Sequence, residues 1–379
     1  MVVKSEPWKI SLWDRLKQLN QKTTKKTIVY LYEKADTSTF RYRAYNMCQA
    51  LEGSNKYRGL YFFEEELIQL ADYLEKIDVV VVVRARWTIG INAFIEKAKK
   101  RKLPILFDID DLVFYIEKLP IVMNTLNVDF NDPNSYNFWF AYASRLWIMG
   151  QLCDATIGTN EFICKRLEGY YKKPSYIIDN FLNKEQIETS DDLWDKKKKN
   201  KNFTIGYFSG TPSHVNDFKK VVPELTSLLE KYQDIKVEVV GFMEFPQDFK
   251  KFIYSGQAFH SPLVDFIALQ KKISEVDVNI IPLLDNEFTN CKSELKLFEA
   301  AIVGTITCAT PTFVYKQNIK NNENGFLCEE GEWFEMIEKI YQGNFNKNVI
   351  TNARKYCLDK YSPEAQLKNI EAVFKKILK

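Results

Sequence analysis

Lys292, Lys296 and Glu299 follow the apolar run 278–284 at steps of four and three, so a helix opened by Asn290 carries all three on one face and turns Leu295, Phe298 and Ile302 to the other. Free N–H groups at the start of such a helix, together with two ammonium groups, attract an anion, and a carboxylate one turn further on accepts hydrogen bonds from hydroxyls. A nucleoside diphosphate with its ribose offers both partners. Taken alone, the same stripe is what a solvated polar helix face looks like.

Four more polar clusters lie between apolar runs. In the loop from Asp36 to Arg43, Arg41 and Arg43 stand one residue apart and can clamp a phosphate or an acceptor carboxylate, or one of them can pair with Asp36 or Glu33. Arg84 and Arg86 come directly after the valine run 79–83, which delivers two cations to a cleft edge or leaves them solvated there. Asp108, Asp110 and Asp111 follow 103–107. Clustered carboxylates suit a hard cation, but alternation along an extended segment aims Asp108 and Asp110 one way and Asp111 the other, and an aspartate here can also cap the next helix. In the second half, Gly206 to His214 joins a strand to a helix. Ser209 and Gly210 let backbone approach a phosphate, and His214 can bond a phosphate oxygen, cap the helix or pack.

The elements that must position these residues alternate regularly. Short apolar runs at 28–32, 60–63, 79–83, 105–107, 155–157 and 176–178 read as buried strands, with helical patterns at 65–76, 90–101, 135–151 and 160–169. A second series places strands at 204–208, 236–240, 278–281 and 305–308, and helices at 214–231, 263–274, 292–303 and 331–342. The rhythm predicts an α/β protein with two doubly wound Rossmann-like domains facing across a cleft, and ligands in such sheets bind outside the carboxyl ends of the strands. The divisions expected are an amphipathic segment at 1–26, a first domain at 27–183, a polar linker at 184–202 that includes the lysine run 196–201, a second domain at 203–361, and a terminal helix at 362–379.

Composition supports two cores. The 379 residues exceed what one core usually encloses, and 46% hydrophobic with 14% aromatic content is too apolar for disorder. A net charge of only +3 gives no case for nucleic acid. Seven scattered cysteines without a CxxC pair, and only His214 and His260 to join them, argue against a structural zinc site and for a reducing compartment. No apolar stretch approaches the ~18–20 residues that span a bilayer, and the first residues hold no signal-like apolar region, so a cytoplasmic location is expected. Trp8, Leu12, Leu16 and Leu19 can share an apolar face flanked by Lys9, Arg15 and Lys17, which either packs on its own domain or meets the inner face of a membrane.

The chain resembles the retaining family 4 glycosyltransferases of the two-domain GT-B fold. Glu299, Ala300, Ala301, Gly304 and 306–308 match the second half of that family's helix, glycine and strand pattern, and Asn324-Gly325-Phe326-Leu327 keeps the order before a Trp-containing helix. Cys291 stands where the family has its first glutamate, and Lys292 and Ser293 replace a Gly-aromatic-Gly turn. Some members share the Phe40-Arg-x-Arg43 loop, and a subset of bacterial surface-polysaccharide enzymes shares the Asp-x-Asp-Asp run at 108–111.

The resemblance implies sugar transfer with retention from a UDP- or dTDP-linked donor to a saccharide acceptor, lipid-linked or carried on a protein, with no metal and no other cofactor. Ser209, Gly210, His214, Lys292, Ser293, Lys296 and Glu299 would hold the donor, with Glu299 on the ribose and the lysines on the departing diphosphate. Arg41, Arg43, Arg84, Arg86, Asp108 and Asp110 would hold the acceptor. Asp110, Lys292 and Glu299 would act in catalysis, Asp110 by orienting hydroxyls or stabilising an oxocarbenium-like transition state. The terminal helix would cross back onto the first domain. The alternative is a non-catalytic sugar- or nucleotide-binding partner that keeps the cleft without turnover, which Cys291 favours.

Overall fold

Apolar runs without alternation can bury both faces only inside a parallel sheet covered by helices. The computed structural model, which describes residues 5–196, 201–210 and 215–378, contains two such sheets. The first holds β1 (Lys26–Tyr32), β2 (Tyr57–Phe63), β3 (Val79–Val83), β4 (Ile105–Asp108), β5 (Ala155–Gly158) and β6 (Ser175–Ile177), in the order β2-β1-β3-β4-β5-β6. The second holds β7 (Thr204–Ser209), β8 (Lys236–Gly241), β9 (Ala258–Ser261), β10 (Val278–Ile281), β11 (Ile306–Ala309) and β12 (Phe326–Leu327), in the order β12-β11-β10-β7-β8-β9. The strand pairs are parallel, and the five valines of β3 are fully buried.

In each sheet the order reverses beside the strand that comes first, between β1 and β3 and between β7 and β10. A crevice opens at such a reversal because the connections leave to opposite faces. The Arg41 and Arg84 loops leave the first crevice, and the Gly210 and Lys292 loops leave the second.

Three expectations change, and one open alternative is resolved. The helix expected over 292–303 is two short helices, Glu287–Asn290 and Leu295–Ala301, with a break between them. Asn286, not Asn290, caps the first one by accepting from the Thr289 amide. Asn160 of the first domain donates to the carbonyls of Cys291 and Lys292 at 3.1 and 3.2 Å, occupying acceptors that a continuous helix would use.

The linker expected over 184–202 contains a helix, Lys184–Asp195, opened by a capping box of Asn183 and Gln186. Its buried face is polar: Gln186 reaches Glu299 at 3.5 Å, and Ser190 accepts from Gln270 at 2.9 Å. An apolar periodicity could not reveal such a helix. Residues 197–200 of the lysine run lie outside the described residues.

Of the two placements open to the stripe near the N-terminus, most of it takes the one on its own domain. Trp8, Leu16 and Leu19 are buried, Trp8 stacks on Phe266 at 5.7 Å, and Arg15 within the helix Leu12–Asn20 pairs with Glu66. Among the described residues no helix is long and apolar enough to cross a membrane. At the other end, the helix Pro363–Ile377 returns to the first domain, where Ser54 donates to Glu371 at 2.5 Å and Phe374 lies 6.2 Å from Tyr57.

The third change concerns the end of β4. Asp108 is the last residue of the strand, and the chain then bends, so alternation stops there. Asp108 turns into the core, while Asp110 and Asp111 both face the cleft.

Candidate functional site

Between the domains lies a cavity of about 670 Å³, lined from the first domain by the loops after β1, β3 and β4 and from the second by those after β7 and β10. Arg41 and Tyr42 enter it from a π-helical turn, Arg41–Tyr45, that follows the polar loop after β1. Arg84 enters from the residue directly after β3, where it adopts a left-handed conformation (φ 40°) that a non-glycine residue rarely holds without tertiary support. That support is visible: its amide donates to the Asp108 carbonyl at 2.7 Å and its Nη1 to Asp110 at 2.9 Å.

Two carboxylates and two cations form a network across the mouth. Arg84 bonds Asp110 and lies 3.5 Å from Asp111, Thr39 donates to Asp110 at 3.2 Å, and Lys292 of the second domain reaches Asp111 at 3.2 Å. Burial pushes the Asp110 carboxyl up, but Arg84, with Arg43 behind it, outweighs burial and holds it below the ordinary carboxylate range. Asp110 is therefore an anion at neutral pH, able to accept from substrate hydroxyls but already matched by an arginine.

Deeper in, Glu299 is buried and faces the first domain. Tyr42 donates to it at 2.5 Å, Arg41 Nη2 lies 3.5 Å away, and Gln186 lies 3.5 Å away on the linker side. Lys296 sits one turn earlier. Its ammonium is shut off from solvent, has no hydrogen-bond partner among the described residues, and lies 5.2 Å from the Tyr207 ring. Burial is what pushes this ammonium down to about 8, Asp217 pulling the other way and Lys292 adding to the push.

An ammonium left without a partner at a crevice wall is suited to an anion. As pH rises through about 8 the lysine loses its proton and the site its charge, so anion affinity should fall. Calorimetric titration with a nucleoside diphosphate on either side of that pH should show the decline in the native protein and none in Lys296→Met.

The remaining candidates divide. Ser293 lines the cavity and accepts from Asn180 at 2.8 Å. Gly210 lines it too, and a Cβ there would meet nothing within 4 Å, so the glycine leaves open space beside the backbone. Ser209 is buried at the end of β7, and its carbonyl accepts from the Phe242 amide. His214 lies outside the described residues.

Arg43 and Asp108 do not reach the cavity. They are fully buried and bond each other twice at 2.8 Å, and Arg43 Nη1 also donates to the Ile178 carbonyl at 2.7 Å and to Asn180 at 3.1 Å. Arg86 turns away to Glu33, with contacts of 2.7 and 2.6 Å. Tyr42, Asp111, Trp139 and Tyr142 line the cavity and were missed. Tyr42 read as a spacer between arginines, Asp111 fell to the alternation argument, and the two aromatics sit on the helix Pro133–Leu152, whose aromatic run reads as core.

Each of the three aspartates thus has its own cation, Asp108 with Arg43, Asp110 with Arg84 and Asp111 with Lys292, so the run at 108–111 is a set of ion pairs. Among the described residues no group of three or more His, Cys, Asp and Glu is arranged to hold a metal ion.

The sequence matches no family model and no curated protein. Solved structures match over nearly the whole chain. HepE of Anabaena, solved with UDP and glucose, aligns with a TM-score of 0.61 at 12% identity, covering 93% of this chain and 100% of that one. A glycosyltransferase from Rickettsia africae gives 0.61 at 16% identity, covering 94% and 100%. Sucrose-phosphate synthase from Thermosynechococcus elongatus gives 0.59 at 12%, covering 93% and 99%. The chain has the GT-B fold of these proteins, two Rossmann-like domains facing across a cleft.

Proposed function

We propose that the protein transfers a sugar from a nucleoside diphosphate donor, UDP- or dTDP-linked, to a saccharide acceptor. The observation that carries this reading is the unpartnered Lys296 ammonium one turn from Glu299, in the crevice where the second sheet reverses its strand order. A diphosphate would supply the hydrogen-bond acceptor that Lys296 lacks, and a ribose the hydroxyls. HepE, which shares the fold, was solved with UDP and with UDP-glucose, in keeping with a nucleotide in this cleft.

In this reading Lys296 neutralises the diphosphate, Glu299 accepts from the ribose, and the open space beside Gly210 admits a phosphate to the backbone. Lys292 and Ser293 flank the transferred sugar. Arg84 and Asp110 orient the acceptor, and Trp139 and Tyr142 give its ring an apolar wall.

Asp110 and Asp111 are each held by a cation, and Glu299 by Tyr42 and Arg41, so the described cavity offers no unengaged carboxylate as a nucleophile. Retention then follows a front-face route, in which the leaving diphosphate takes the acceptor proton. A place in surface polysaccharide or glycoconjugate synthesis, on the cytoplasmic side of a membrane, fits a nucleotide-sugar donor.

Thermal stabilisation and slow donor hydrolysis, scored for dTDP-rhamnose, UDP-glucose, UDP-galactose, UDP-N-acetylglucosamine and GDP-mannose, test the reading. One donor should both stabilise and be hydrolysed, and Glu299→Ala should weaken both effects. If no nucleotide stabilises the protein at millimolar concentration, the reading fails. Stabilisation without hydrolysis or transfer would leave a binding partner that keeps the cleft without turnover.

A further inference from the structure

We infer that Arg41, although it belongs to the first domain, is the second cation of the phosphate site, so that a donor phosphate is gripped by Arg41 and Lys296 from opposite sides of the domain boundary. This rests on the reading of the cavity as a nucleotide-sugar site, and it moves Arg41 from the acceptor to the donor.

Among the described residues four cations line the cavity: Arg41, Arg84, Lys292 and Lys296. Arg84 is matched by Asp110 and Lys292 by Asp111. Glu299 lies near both Arg41 and Lys296, and Asp217 also pulls on the lysine, yet neither cation makes a full hydrogen bond to a carboxylate: Arg41 stands off from Glu299 at 3.5 Å, and the Lys296 ammonium has no hydrogen-bond partner among the described residues. The two cations are therefore left short of hydrogen-bond acceptors, whereas the other two described lining cations each reach a carboxylate. An anion entering between them would supply the acceptor both lack.

Arg41 is also built to wait. It is 3% exposed, yet its Nη1 has no hydrogen-bond partner. A buried donor without an acceptor is destabilising unless something outside the chain completes it. The side chain cannot swing away to find one. Its guanidinium lies 4.0 Å from the Tyr42 ring and 4.7 Å from the Phe266 ring of the second domain, and its Nε is tied to the Thr37 carbonyl at 2.8 Å. What remains is a fixed N–H at the wall of a cavity that also holds the Lys296 ammonium. A guanidinium so held suits an oxygen anion in defined geometry.

Phosphate and the carboxylate of an acidic acceptor sugar share this chemistry, and kinetics separates them. Inorganic pyrophosphate and UDP are titrated by calorimetry into the native protein, Arg41→Gln, Lys296→Met and the double variant, each checked for native circular dichroism. Arg41→Lys is included because it keeps the charge without the fork.

Each single substitution should weaken pyrophosphate and UDP on the order of tenfold or more. The double variant should lose less than the product of the two, because one anion bridges both groups. Arg41→Lys should recover part of the affinity. In steady state Arg41→Gln should raise KM for the donor and leave KM for the acceptor unchanged.

If the native protein binds UDP and Arg41→Gln binds it equally well, the assignment of Arg41 fails alone, and a raised acceptor KM would then place it on an acidic acceptor. If the native protein binds neither pyrophosphate nor any nucleotide, the assignment falls together with the reading of the cavity.

Discussion

Lys296→Met should make the free protein more stable while removing its hold on a nucleoside diphosphate. The native ammonium is buried, unpartnered and pushed down to about 8, against an ordinary lysine value of 10.5. The unfolded chain therefore binds its proton more tightly than the folded one, and folding carries that penalty. The penalty is complete below about 8, shrinks as pH rises towards 10.5 and is gone above it.

Methionine fills nearly the same volume without a charge, so at neutral pH the substitution should add up to about 3 kcal/mol. Urea unfolding of both proteins across that pH window should show the gain closing as pH rises. The same variant should bind a nucleoside diphosphate roughly tenfold to a hundredfold more weakly, through loss of one charge-assisted contact. A protein that became less stable on losing Lys296 would show the ammonium to be a structural group, and the anion assignment would fail with it.

That pairing of stability and binding could be foreseen only in part from sequence. Lys296 and Glu299 lie within one turn of a single helix, so local spacing alone puts them on one wall. Lys292 reaches the same cavity for a different reason, because the chain breaks before it where Asn160, more than a hundred residues away, takes the carbonyls of 291 and 292. Val79–Val83 was legible as β3 because a run of five adjacent β-branched residues is short for a helix and favours an extended backbone.

The polar loops were legible as loops but not as sites. Whether an arginine faces a ligand or a carboxylate depends on partners distant in sequence: Arg43 meets Asp108, Arg86 meets Glu33, and Arg41 meets nothing at Nη1. Periodicity carries no information about such pairings, which is why Tyr42 and Asp111 were passed over and Arg43 and Arg86 were taken up.

Arg43 gives the sharpest test of that distinction. Arg43→Met should cost about 3–5 kcal/mol, because it leaves the Asp108 carboxylate buried without its counter-charge. Asp108 is already pushed up by burial against the pull of Arg43, so removing the arginine should drive it to take a proton instead. Adding Asp108→Leu should recover only part of the loss. The Ile178 carbonyl and Asn180, which accept from Arg43 Nη1, would remain unsatisfied in the double variant.

By contrast, Arg84→Ala, at the cavity wall, should change acceptor kinetics more than stability. Arg43 is also one of the charges holding Asp110 low, so Arg43→Met should raise the pH at which Asp110 ionises in whatever fraction stays folded. Urea unfolding and a pH profile of acceptor KM read these effects separately. An Arg43→Met protein as stable as the native one, but unable to hold acceptor, would return Arg43 to the acceptor site and reduce its bond to Asp108 to an incidental contact.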